Sequence, residues 1–112
     1  MAIKRMKVAP LGELELLVLL AVQRLDDDAY GIRVLEELDR TAQRKLTRGT
    51  IYATLQRLED KALLRSKLGE ATAERGGRAK RYYRVSASGL DSLRRSVGAI
   101  HALSEGLEAM LR

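Results

Sequence analysis

The chain of 112 residues contains no cysteine, no tryptophan and no phenylalanine, with a single histidine and a single proline. Each absence excludes a class of function. Without cysteine there is neither a disulfide framework nor a thiolate metal site, which fits a reducing cytoplasm. One histidine cannot build a multi-histidine metal centre, and without cysteine no Cys/His nucleophile forms within one chain. His101 reads instead as an exposed or interface polar residue. Acid pairs such as Glu36-Glu37 are neighbours in sequence, splay apart on a helix and cannot flank a common bond. Gly76-Gly77 lacks the spacing and the following helix of a phosphate-cradling loop. No catalytic residue, cofactor or metal is expected. The longest apolar run, Leu16 to Val22, is too short to span a bilayer. No small-residue cleavage site follows the basic start, so residues 1–10 read as a basic arm on a cytoplasmic protein.

What is present is positive charge in one place. The net charge is +6. Residues 47–68 hold five basic and two acidic side chains, and residues 69–85 hold the same numbers, so each stretch carries +3. Residues 86–112 sum to zero, while residues 26–46, with four basic and six acidic, carry −2. A basic segment set against a neutral or acidic remainder is the electrostatic footprint of a nucleic-acid surface.

Hydrophobic periodicity gives the elements. Pro10 and Gly12 open a first helix whose Leu11, Leu14, Leu17, Val18, Ala21, Val22 and Leu25 fall at helical spacing. Leu16, Leu19 and Leu20 add apolar surface on other sides, and a helix apolar nearly all round must be covered on more than one face. Asp26-Asp27-Asp28 lacks the alternating oxygens and glycine turn of a calcium loop. It reads as a turn in which Asp28 caps the next helix. That second helix runs from about Tyr30 to Ala42 with Ile32, Leu35 and Leu38 inward, and Leu46 anchors the following turn. Thr47 caps a third helix with Ile51, Leu55 and Leu58 as its inward stripe. Opposite that stripe lie Gly49, Ala53, Gln56 and Arg57, flanked by Thr50 and Tyr52. Small residues let such a face enter a groove, where Gln and Arg read base edges or hold phosphates.

Leu63 to Leu68 and Tyr82 to Val85 are short strands around a glycine- and arginine-rich turn. Alternation places Tyr83 and Val85 on one face and Tyr82 and Arg84 on the other. One of the two tyrosines is therefore expected in the core and the other at a ligand or phosphate. Ser86 caps a last helix running towards Arg112, whose Leu90, Leu93, Val97, Ile100, Leu107 and Leu111 resemble a heptad seam. The fold class is mainly α with a small β-hairpin: a winged helix-turn-helix over residues 11–85 and a dimerisation helix over 86–112, in one domain.

The motifs go further than the order of elements. Leu11-Gly12 before a leucine-rich helix, Tyr30-Gly31, Gly49-Thr50-Ile51-Tyr52 with Leu55, Arg57, Leu58 and Glu59, and Gly77-Arg78 with Lys80-Arg81-Tyr82-Tyr83 and Gly89 resemble the PadR family of transcriptional regulators over roughly residues 11–95. The short C-terminal helix resembles the compact branch, in which that helix dimerises against the partner's first helix. The resemblance implies a homodimeric repressor on an inverted-repeat operator, released from double-stranded DNA by a small phenolic or hydrophobic effector. Compact members that take flat aromatic drugs use tryptophan at the dimer centre, and this chain has none. An apolar effector among Leu, Val and Met side chains, or no effector, both stay open.

The expected reading residues are Arg48, Thr50, Tyr52, Ala53, Gln56 and Arg57, with Arg75, Arg78, Lys80 and Arg81 of the wing on phosphates or in the minor groove. The expected dimer residues are Leu16, Leu19 and Leu20 of the first helix and Leu93, Val97, Ile100, Leu103, Leu107 and Leu111 of the last. The alternative is a winged-helix protein-interaction module. Such a module would expose apolar anchors on its third helix, where this chain places Thr, Gln and Arg. The A-form major groove of RNA is too narrow for a helix, which favours DNA.

Overall fold

The computed structural model describes residues 11–70 and 79–112. Helix α1 spans Glu13–Leu25 and ends in a 3₁₀ turn, Asp26–Asp28. Helices α2 (Gly31–Ala42) and α3 (Arg48–Asp60) follow, then the antiparallel strands β1 (Leu64–Leu68) and β2 (Arg81–Val85). Helices α4 (Ala87–Ser104) and α5 (Glu108–Leu111) complete the chain. Three helices, a hairpin and a terminal helix make the winged helix-turn-helix that the periodicity predicts.

The core forms where the three apolar stripes meet. Val18, Leu19 and Val22 of α1, Val34 and Leu38 of α2, and Ile51, Leu55 and Leu58 of α3 enclose one another. Leu64 and Tyr83 close the core from the hairpin, and Leu46 packs half-buried at its edge. The inward stripe expected for α3 keeps no exposed surface. The stripe of α2 sits differently from expectation. Val34 and Leu38 are its buried apolar side chains, Leu35 packs half-buried against the core, and Ile32 is half-buried without joining it.

Local chemistry sets the helix starts. The Thr47 hydroxyl accepts the Thr50 N–H at 3.1 Å, and the Ser86 hydroxyl accepts the Gly89 N–H at 3.0 Å. Both are the side-chain caps that the sequence suggests. Asp28 is not a cap. The residue preceding α2 is Tyr30, in extended conformation and without a side-chain cap. The reason lies in the sheet: the Ala29 carbonyl accepts the Tyr83 N–H at 2.8 Å, and Tyr30 bridges Tyr82. Strand pairing thus delays the helix by two residues. Asp28 instead accepts the Arg33 side-chain N–H at 3.2 Å.

The hairpin runs in register from Leu64 opposite Val85 to Leu68 opposite Arg81. Tyr83 is buried and Val85 packs beside it, while Arg84 is exposed on the other face, as alternation requires. The last helix is not continuous to the end. It stops at Ser104, Gly106 turns the chain at a φ of 87°, and α5 resumes at Glu108, whose carboxylate accepts the Gly106 N–H. A positive φ is open to glycine at little cost and interrupts an α-helix.

Candidate nucleic-acid interface

The exposed side of α3 is built by the burial of its other side. With Ile51, Leu55 and Leu58 enclosed, Arg48, Gly49, Tyr52, Ala53, Gln56 and Arg57 face outward, and Thr50 is half-buried beside Thr47. These residues do not have equal freedom. The first two turns present the exposed Arg48 and the small Gly49 and Ala53. Tyr52 is exposed, yet its ring lies over the start of α2. A methyl at Gly31 would stand 2.6 Å from the Tyr52 ring carbon Cζ and from its hydroxyl oxygen. Glycine at position 31 therefore makes room for the Tyr52 ring. Further along, the Gln56 amide donates to Asp60 at 3.0 Å.

Arg57 is held on the protein. Its Nε donates to Glu15 Oε2 at 3.2 Å, and Lys61 Nζ lies 2.9 Å from the same oxygen. The Gly12 N–H donates to Glu15 Oε1 at 3.1 Å. Burial works to raise the Glu15 pKa, but Lys61, the Gly12 N–H and Arg57 outweigh it and bring the carboxyl below its usual value. Glu37 forms a second buried carboxylate site between α1 and α2. The Thr41 hydroxyl donates to it at 2.8 Å, and Arg24 and Arg40 donate as well. Against the opposing effect of burial, these contacts lower its pKa from 4.5 to about 2. Neither acid was predicted from sequence: Glu15 is completed by Arg57 and Lys61, 42 and 46 residues along the chain, and Glu37 by Arg24 of α1 as well as by Arg40 and Thr41 of its own helix.

On the wing, Lys80 and Arg81 are exposed, whereas Arg75 and Arg78 lie outside the described residues. The Lys80 ammonium sits 4.3 Å from the centre of the Tyr30 ring, and Tyr82 meets Tyr30 edge-on with ring centres 5.5 Å apart. Arg81 donates to the Ser66 hydroxyl at 3.0 Å, which donates to Glu59 of α3 at 2.7 Å. The wing base and the helix are thereby joined. The outer hairpin face adds Arg65 and Lys67 opposite Arg84 and Tyr82. These two cations were missed, although the alternation of β1 carries the signal. Asp26 approaches Arg84 at 4.0 Å, so part of this face is already neutralised.

The residues expected at a dimer boundary divide in two. Leu19 has 0% and Leu93 5% of its surface exposed, so both belong to the protomer's own core and offer nothing to a partner. The reason is that α1 and the first turns of α4 pack within the protomer. Leu16 and Leu20 are half-buried, while Val97, Ile100, Leu103, Leu107 and Leu111 are exposed.

The sequence profile of the Transcriptional regulator PadR-like family matches residues 18–95. The chain belongs to the PadR-like family. Solved structures agree in fold. A PadR family transcription regulator from Clostridium difficile is 22% identical with a TM-score of 0.72, over 90% of this chain and 100% of that one. A PadR family transcriptional regulator from Eggerthella lenta is 29% identical with a TM-score of 0.66, over 89% and 87%. A PadR-like transcriptional regulator from Bacillus cereus is 22% identical with a TM-score of 0.69, over 88% and 91%. No protein of curated function matches the sequence. This PadR-like protein is a DNA-binding transcription regulator rather than an enzyme. Among the described residues no helix is long and apolar enough to cross a membrane.

Proposed function

We propose that this PadR-like regulator is a homodimeric repressor that binds an inverted-repeat operator. The observation that carries the reading is the exposed polar face of α3 together with the exposed Lys80 and Arg81 of the wing. Arg48, Thr50, Tyr52 and Ala53 read the major groove, and the wing cations, including Arg75 and Arg78, hold flanking phosphates. The dimer forms through the apolar side of α4 and α5, with Val97, Ile100, Leu103, Leu107 and Leu111 against Leu16 and Leu20 of the partner. Two-fold symmetry sets the reading helices about one DNA turn, roughly 34 Å, apart and demands a palindromic site. An effector, where one acts, is an apolar molecule at the subunit boundary, the place from which helix packing sets that spacing. The protein works in the cytoplasm on chromosomal DNA.

Selection of bound fragments from random duplexes tests the reading. The expected outcome is an inverted repeat with half-sites about one turn apart. Enrichment of no sequence, or of a single unpaired half-site, rejects it. A reporter under the selected operator should be silenced by the protein, and stimulation would reject repression alone.

A further inference from the structure

Arg57 of α3 and Lys61, the residue that follows the helix, do not point freely into solvent. Both converge on Glu15, a carboxylate that is only 7% exposed. Lys61 Nζ reaches its two oxygens at 3.1 and 2.9 Å, Arg57 Nε reaches Oε2 at 3.2 Å, and the Gly12 N–H reaches Oε1 at 3.1 Å. A buried carboxylate is costly unless it is paired and hydrogen-bonded, and this one is paired on both oxygens. Residue 15 also lies in the first turn of α1, where the helix dipole favours an acid. The neighbouring Gln56 is engaged with Asp60. The C-terminal half of α3 is thus committed to the protein, and the N-terminal half is left open.

We infer that Glu15 is a positioning and specificity residue for DNA reading. It clamps the C-terminal half of α3 to the start of α1, keeps Arg57 and Lys61 off the phosphates, and confines base reading to the first two turns of α3. This rests on the DNA reading proposed above. Helix-turn-helix proteins contact base edges with the N-terminal residues of the second helix, so an anchor at the far end fixes tilt without occupying the groove. The anchor reaches α1 one residue before Leu16, on the helix that the second subunit packs against. The tilt of each reading helix is therefore referred to the two-fold axis. Two cations neutralised in this way also limit binding to arbitrary sequence, because non-specific affinity grows with each free cation that meets a phosphate.

The test compares the wild-type dimer with Glu15→Gln and Arg57→Ala, measuring affinity for the selected operator and for random duplex across a salt series. Glu15→Gln keeps the shape and removes the charge. Its affinity for random duplex should rise, and the slope of log affinity against log salt should steepen by about 0.9 for each cation released. The ratio of operator to random affinity should fall by about tenfold. Arg57→Ala removes an exposed side chain and should leave base preference unchanged at every operator position. Relaxed preference at one base pair per half-site in Arg57→Ala would make Arg57 a reader and overturn the inference. An unchanged salt slope in folded Glu15→Gln would overturn it too, leaving the acid a purely structural role. If Glu15→Gln does not fold, Lys61→Ala with Arg57→Ala decides the matter: it cuts the clamp without freeing a cation, so base preference should weaken across the whole half-site at an unchanged salt slope, and an unaltered operator logo rejects the clamp. A wild-type protein that selects no duplex at all rejects the DNA reading itself and the inference with it.

Discussion

Replacing Ile100 by alanine separates dimerisation from folding. Ile100 lies on α4 beyond the point where the helix leaves the core, and 55% of it is exposed in the protomer. Fully burying an isoleucine is worth about 1.5–3 kcal/mol, so covering the exposed half in a dimer is worth about 0.8–1.6 kcal/mol. Alanine retains roughly a third of that, so about 0.5–1 kcal/mol is lost per copy. A two-fold interface counts the change twice, giving about 1–2 kcal/mol per dimer, or roughly 5- to 30-fold in dissociation constant. The protomer itself should hardly notice, since exposed substitutions stay within about 0.5 kcal/mol and alanine favours a helix. Sedimentation equilibrium gives the dimer constant, and denaturant unfolding at low concentration gives protomer stability. Leu103→Ala, at a position 81% exposed, should behave likewise and more strongly. A wild-type monomer at micromolar concentration, or an unchanged dimer constant in both variants, would refute the placement of the interface on α4.

Three further outcomes follow from the same geometry. Gly31→Ala pushes a methyl into the Tyr52 ring; overpacking of this kind costs about 1–3 kcal/mol, and Tyr52→Ala should relieve much of it in a double-mutant cycle, whereas additive effects would mean the two do not touch. Lys80→Ala and Arg81→Ala should each flatten the salt dependence of operator binding by about 0.9 if they hold phosphates, and unaltered slopes would take the wing base off the DNA. Glu37 and Glu15 have lowered pKa values in the folded chain, so their contribution to stability is full above the ordinary carboxylate range and fades as pH falls through it, for Glu37 from about 4.5 towards 2. Glu37→Gln should flatten that acid limb in thermal melts, and an acid limb as steep as that of the wild type would assign it to other groups.

What the sequence determined by itself was set by local rules. The 3.6 period of Ile51, Leu55 and Leu58 fixed which side of α3 is buried and hence which side is presented. Thr47 and Ser86 declared their caps because the acceptor and the N–H it takes are three residues apart. Alternation sorted Tyr83 from Arg84. The motifs at Tyr30-Gly31 and Gly49-Thr50-Ile51-Tyr52 led to the PadR-like family, which the profile match confirmed. Tertiary structure decided everything that depends on distant residues meeting. Leu19 and Leu93 read as surplus apolar surface in one dimension, yet the protomer closes over both. Asp28 had the chemistry of a cap, but pairing of Ala29 and Tyr30 with β2 moved the helix start beyond it. Arg57 pointed outward by periodicity, which is true of its Cα. Its guanidinium is long enough to reach back to Glu15, 42 residues earlier, and only the packing of α1 on α3 puts that carboxylate within hydrogen-bond reach.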